Sequence, residues 1–193
     1  MAFKLYFRYG VMGSSKTAQA LMTRFNYEQQ NYKVFLIKPT LDTRDSTKEK
    51  QIIKSRIGLE AEAIGFTPSD DIEKLFIIYN KNNIFKAIIV DEAQFCTKSQ
   101  IEQLKNLTNL VPVFCYGLKT DFQTNLFEGS KRLLEIADSI TEIKSICECG
   151  KKAIINARFS NGKLVTSGSV VDIDGDEKYR AVCYNCYKNF AKN

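Results

Sequence analysis

Two rhythms of apolar and polar positions alternate along most of this chain. The run Phe3-Lys4-Leu5-Tyr6-Phe7-Arg8-Tyr9 alternates with period two and predicts a strand. Between residues 17 and 30, Ala18, Leu21, Met22 and Phe25 return at helical spacing. Val34-Phe35-Leu36-Ile37 is a short continuous apolar run, which predicts a buried strand closed by Lys38-Pro39. The charged stretch 40–56 reads mostly as a mobile loop, and 60–64 as a further strand. Pro68-Ser69-Asp70-Asp71 opens a helix to about residue 79, capped by Ser69 or Asp70. Strands at 85–90, 111–116 and 139–144 then alternate with helices at 97–107 and 131–137.

Strands alternating with helices imply a parallel sheet covered on both faces. Ligands of such sheets bind beyond the carboxyl ends of the strands. Here those ends carry Gly10, Lys38, Asp91 and Gly117, which places the polar chemistry on one rim. From Ile146 onward the pattern changes to short strands, Gly and Asp turns, and four of the six cysteines. This predicts an α/β domain over residues 1–145 and a small C-terminal domain over 146–193.

Directly after the first predicted strand the chain reads Gly10-Val11-Met12-Gly13-Ser14-Ser15-Lys16-Thr17. A strand, a Gly-rich turn and then Lys-Thr opening a helix is how a phosphate is cradled. Backbone N–H groups face the phosphate oxygens, the lysine reaches the β- and γ-phosphates, and the threonine hydroxyl serves Mg²⁺. Ser15 stands where the pattern G-x-x-x-x-G-K-[ST] has its second glycine, which requires a negative φ there or a turn that tolerates strain. Ile88-Ile89-Val90-Asp91-Glu92 is the second such signal, an apolar strand ending in two carboxylates. The first acid at such a place holds Mg²⁺, and the second is positioned to orient or deprotonate an attacking hydroxyl.

Composition narrows the chemistry. At 193 residues and 44% hydrophobic content the chain can bury a core, and no apolar run approaches the ~20 residues of a membrane span. The N-terminus lacks a charged-then-apolar leader, so the expectation is a cytoplasmic protein without a membrane partner. A net charge of +6, not concentrated in any block, suits local phosphate sites. Histidine is absent, which removes Ser-His and Cys-His dyads and every His-containing metal site. Any zinc site must therefore be all-cysteine. Cys147-Glu148-Cys149 and Cys183-Tyr184-Asn185-Cys186 are two close pairs of the kind that build a structural zinc ribbon, while Cys96 and Cys115 read as core.

In order along residues 4–188, these pieces resemble the zinc-bearing, P-loop type of the thymidine kinase family. The family's G-P-M-x-S-G-K-T is similar to residues 10–17, its K-P-x-x-D-x-R to 38–44, and its S-R-x-G to Ser55-Arg56-Ile57-Gly58. D-E-x-Q-F appears as Asp91-Glu92-Ala93-Gln94-Phe95, and G-L-x-x-D-F as Gly117-Leu118-Lys119-Thr120-Asp121-Phe122. Glu177-Lys178-Tyr179 before Cys183 and Cys186 completes the series. The resemblance implies a P-loop NTPase (RecA-like) fold with a C-terminal zinc-binding lid, or lasso. It implies transfer of the ATP γ-phosphate to the 5′-hydroxyl of thymidine, and of deoxyuridine by analogy. Gly10, Val11, Met12, Gly13, Ser14, Ser15, Lys16 and Thr17 would hold ATP, with Asp91 organising Mg²⁺. Glu92 would be the general base, and Arg56 would offset charge on the transferring group. Gln94, Phe95, Leu118, Phe122 and Tyr179 would line the nucleoside site, and Val171, Asp172, Ile173 and Asp174 would close over the base. Cys147, Cys149, Cys183 and Cys186 would hold structural Zn²⁺. A homotetramer inhibited by thymidine triphosphate is implied as well.

The sequence departs from the family pattern in Ser15 for glycine, Val11 for proline, C-x-C for C-x-x-C and Asp174 for glycine. Three other readings stand beside this one, the first a kinase for another nucleoside such as deoxycytidine. A nucleic-acid-binding ATPase would use Lys151, Lys152, Arg158 and Lys163 on the ribbon, countered by Asp172, Asp174, Asp176 and Glu177. A catalytically silent relative would bind nucleotide without turnover, as Ser15 suggests.

Overall fold

The computed structural model describes residues 2–40, 51–168 and 178–192. Strand β1 (Leu5–Tyr9) runs into helix α1 (Lys16–Glu28), then β2 (Val34–Pro39) and a hairpin of β3 (Gln51–Lys54) with β4 (Glu60–Phe66). There follow α2 (Ile72–Asn83), β5 (Ala87–Val90), α3 (Lys98–Leu107), β6 (Val113–Gly117), α4 (Glu128–Ile136) and β7 (Ser139–Glu142). These seven strands form one sheet in the order β3-β4-β2-β5-β6-β1-β7.

Period two sorts the side chains of the central strands onto the two faces. On β5, Ile88 and Val90 join Leu5, Phe7, Phe35 and Ile37 under α2, α3 and α4. Ala87 and Ile89 point the other way, with Leu36, Phe114 and Tyr116, onto Ala20 and Leu21 of α1. Burying each large apolar side chain contributes about 1.5–3 kcal/mol, so both faces need their helices. Because β2, β5, β6 and β1 are parallel in register, their carboxyl ends lie on one rim.

The sheet is mainly parallel, as expected, with β3 pairing antiparallel with β4 at one edge. Three expectations are corrected. Part of the stretch read as loop is strand β3: Ile53 is fully buried on the α1 face, which outweighs its charged neighbours. The cap of α2 is Asp71, which accepts from the Lys74 N–H. Ser69 and Asp70 are occupied by Thr67, whose N–H and hydroxyl bond Asp70 and whose hydroxyl meets Ser69. Helix α4 starts at Glu128 rather than at 131. A Cβ on Gly129 would lie 2.5 Å from the Ala93 carbonyl and 2.7 Å from that of Cys96, so glycine lets the helix approach that turn.

Beyond β7 come two small sheets. One pairs β8 (Ser145–Ile146) with β9 (Lys152–Ala153); in the other, β10 (Ile155–Ser160) lies between β11 (Lys163–Leu164) and β12 (Tyr179–Val182). Helix α5 (Tyr184–Phe190) follows. Ala153, Ile155, Ala157 and Val182 form their own apolar cluster, and Val11 of the Gly-rich turn is packed into it. No helix among the described residues is long and apolar enough to cross a membrane.

Candidate active site

The turn between β1 and α1 has the geometry of an anion cradle. Ser15, the residue before α1, adopts φ 64° and ψ 24° and makes no side-chain cap. Ser15 thus places no side-chain acceptor of its own on the opening N–H groups of the helix, and a helix start attracts anions. Ser14 Oγ is buried against Gly10 and lacks a hydrogen-bond partner among the described residues. Lys16 is buried, and its Nζ donates to the Val11 carbonyl at 2.8 Å. Arg56 Nη1 lies 3.7 Å from where a Gly13 Cβ would stand, so its guanidinium sits over the same turn.

The left-handed conformation of Ser15 is the strained alternative left open by the sequence. For a side-chain-bearing residue it costs about 1–2 kcal/mol, part of which glycine would return as unfolded-chain entropy. Ser15→Gly should therefore stabilise the protein by about 0.5–1 kcal/mol and raise the melting midpoint by about 2–4 °C, read by thermal unfolding. An unchanged or lower midpoint would count against strain at this position.

At the end of β5, Asp91 is buried and bonded by Thr17, whose Oγ1 lies 3.2 Å from Oδ2 and 3.5 Å from Oδ1. Burial, then the adjacent Glu92, pushes the Asp91 carboxyl up to about 7, against the Thr17 bond and the charges of Lys38 and Lys16. A buried carboxyl beside a threonine hydroxyl and an anion cradle is a donor set that fits Mg²⁺. Glu92 is half-buried, with φ 55°, and heads the short helical turn Ala93–Phe95. Gln94 braces it: Nε2 donates to Glu92 Oε2 at 2.5 Å, while Oε1 accepts from the Leu118 N–H at 3.0 Å. A Cβ on Gly117 would lie 2.6 Å from Gln94 Oε1, so glycine makes room for this brace.

The remaining residues singled out in the sequence fall around this centre to different degrees. Phe122 is buried, and the Arg158 guanidinium stands 5.2 Å from its ring centroid. Arg158 is paired in register with Tyr179 across β10 and β12, which brings Tyr179 to the same side. Phe95 is half-buried, edge-on to Phe127 at 5.6 Å. Val171, Asp172, Ile173 and Asp174 lie outside the described residues, as do Asp42 and Arg44 of the K-P-x-x-D-x-R segment.

The four cysteines of the C-terminal region converge, all sulfurs lying within 4.8 Å of one another. Cys149 Sγ and Cys183 Sγ are 3.6 Å apart, close to the ~3.8 Å that two thiolates take across tetrahedral zinc. Backbone N–H groups of Cys149 and Cys183 draw the Cys147 thiol down to about 7, while the neighbouring cysteines push Cys186 up to about 12. Four converging sulfurs at this spacing make a donor set that suits structural zinc. Cys96 and Cys115 are buried in the sheet core, as expected.

Two contributors go beyond the roles read from sequence, where Lys38 was placed on the rim without a stated role and Asn156 was not singled out. Lys38 is buried, donates to the Ile52 carbonyl at 3.3 Å and acts electrostatically on Asp91; its signal was a lysine closing an apolar strand. Asn156 is a buried amide in the run Ala153-Ile154-Ile155-Asn156-Ala157 and accepts from the Met12 N–H at 2.7 Å.

A strand, an anion-binding turn and a helix beside an Asp-Glu strand end define a phosphate-loop nucleotide-binding protein of the α/β class. Comparison with known proteins is more specific. The family model described as "Thymidine kinase" matches residues 3–187. The thymidine kinase of Rhodopirellula baltica is 40% identical over 183 residues, covering 93% of this chain and 85% of the relative. That of Zymomonas mobilis is 43% identical over 183 residues, with 93% of each chain covered. That of Streptococcus agalactiae is 43% identical over 189 residues, covering 96% and 97%. The chain belongs to the thymidine kinase family.

Proposed function

We propose that this protein transfers the γ-phosphate of ATP to the 5′-hydroxyl of thymidine, and of deoxyuridine, giving the nucleoside 5′-monophosphate. The observation that carries this reading is the meeting of the β1–α1 cradle with Asp91 and Glu92, joined by the Thr17–Asp91 bond. Phosphoryl transfer asks mainly for positioning and for stabilisation of charge. Lys16 leaves the Val11 carbonyl to reach the phosphates, and the N–H groups opening α1 hold their oxygens. Magnesium, when bound, neutralises phosphate charge; Thr17 and Asp91 are the residues that would hold it. Glu92 accepts the proton of the 5′-hydroxyl, with its carboxylate aimed by Gln94. Arg56, over the turn at Gly13, offsets charge on the transferring group. Phe95, Leu118, Phe122 and Tyr179 line the nucleoside side, with 171–174 closing over the base.

The same reading divides the chain into a phosphate-loop domain, 1–145, and a zinc-binding lid domain, 146–193. It includes a cytoplasmic homotetramer, inhibition by thymidine triphosphate, and neither nucleic acid nor membrane as partner. It is tested by offering Mg²⁺-ATP with thymidine, deoxyuridine, deoxycytidine or deoxyguanosine and measuring each monophosphate. Product from thymidine and deoxyuridine alone is expected. Equal product from deoxycytidine would overturn the base specificity, and no product from any would favour a silent or nucleic-acid-binding protein.

A further inference from the structure

One peptide unit of the phosphate loop, between Val11 and Met12, is held on both sides. Its carbonyl accepts from Lys16 Nζ at 2.8 Å and from the Ser14 N–H at 3.2 Å. Its N–H donates to Asn156 Oδ1 at 2.7 Å, across a separation of 144 residues. A peptide group is planar, so fixing its N–H fixes the direction of its carbonyl. Asn156 therefore sets the orientation of the group on which the loop lysine rests.

Asn156 itself has little freedom. It lies on β10 and is 3% exposed. Its strand neighbours Ile155 and Ala157 belong to the apolar cluster that also holds the Val11 side chain. A buried amide in an otherwise apolar run costs free energy unless its polar atoms are paired, and the Met12 N–H provides a partner. The C-terminal region thus grips the loop twice, by the Val11 side chain and by the Met12 N–H.

We propose that Asn156 is a positioning residue for nucleotide binding, holding the Val11–Met12 peptide so that the loop and Lys16 are ready for the phosphates. The cysteine-bearing region then serves the phosphate side of the site, in addition to its place beside the nucleoside. This rests on the reading of residues 10–17 as the ATP loop.

The test compares Asn156→Leu and Asn156→Ala with the unaltered protein. Leucine keeps the volume and alanine does not, but both remove the acceptor. Mg²⁺-ATP affinity is measured by calorimetry, together with zinc content and the KM for thymidine. Both variants should bind Mg²⁺-ATP about ten-fold more weakly, as expected for losing one well-placed hydrogen bond, with zinc content and thymidine KM within about two-fold of the unaltered protein. A merely structural role would instead lower zinc content and both substrate affinities together. Unchanged Mg²⁺-ATP affinity in either folded, zinc-loaded variant would overturn the proposal. Direct binding separates the two readings: a protein that binds Mg²⁺-ATP without phosphorylating thymidine refutes the proposed reaction and still decides the role of Asn156.

Discussion

Glu92→Gln should bind thymidine and Mg²⁺-ATP within about two-fold of the unaltered protein, yet turn over at least ~10³-fold more slowly, near the upper range for losing a general base. The substitution is close to isosteric, and the brace survives it. The Gln94 amide now donates to Glu92 Oε2, and a glutamine carbonyl at 92 accepts the same bond. What is lost is the ability to take up a proton. Asp91 cannot substitute, because it is buried and tied to Thr17 while Glu92 is half-exposed beside it. The left-handed φ of 55° at Glu92 also fits a site residue, since such strain persists only where its surroundings impose it. Steady-state kinetics with separate binding measurements decide the matter. A normal rate would remove Glu92 from the mechanism.

The second large effect is expected at Cys183. Its sulfur accepts from the Cys186 N–H at 3.5 Å and so caps α5, a role that serine performs at least as well. Cys183→Ser therefore spares the helix cap and removes one thiolate from the four-sulfur cluster. Zinc content should fall from about one per chain toward zero, and the melting midpoint should drop sharply. Metal binding in small cysteine sites amounts to about 10 kcal/mol or more of folding free energy, so losing a ligand there outweighs losing a surface contact. The apolar cluster around Ala153, Ile155 and Val182 also includes Val11, so the damage should reach the phosphate loop. Full zinc retention in this variant would contradict a four-cysteine site.

The central strands and their helices were legible because burial on both faces of a sheet enforces a readable period. The places where the reading slipped have local physical causes. Strand β3 is a four-residue edge strand, buried on one face at Gln51 and Ile53, and two isoleucines in a charged stretch were too little to announce it. The start of α4 was missed because it contains Gly129, a poor helix former whose place is set by carbonyls more than 30 residues earlier in the chain. Asp71 won the cap of α2 because Thr67 had already engaged its two competitors.

At the site, residue types and order pointed to the chemistry, whereas the supporting bonds could not be read from sequence. Ser15 was visible as a departure, but its sign of φ was not. The sequence marked Gln94 as a site residue but not the bonds by which its amide joins Glu92 to the Leu118 N–H. Asn156 was invisible because its partner is a backbone N–H far away in sequence. Such bonds depend on how two units pack, which periodicity does not encode.

The most direct test of the account is to incubate the protein with γ-labelled ATP, Mg²⁺ and thymidine and to follow the label. The label is expected in the 5′-monophosphate of thymidine, in proportion to ADP formed and only when thymidine is present. Label released solely as inorganic phosphate, or ADP formation indifferent to thymidine, would contradict it.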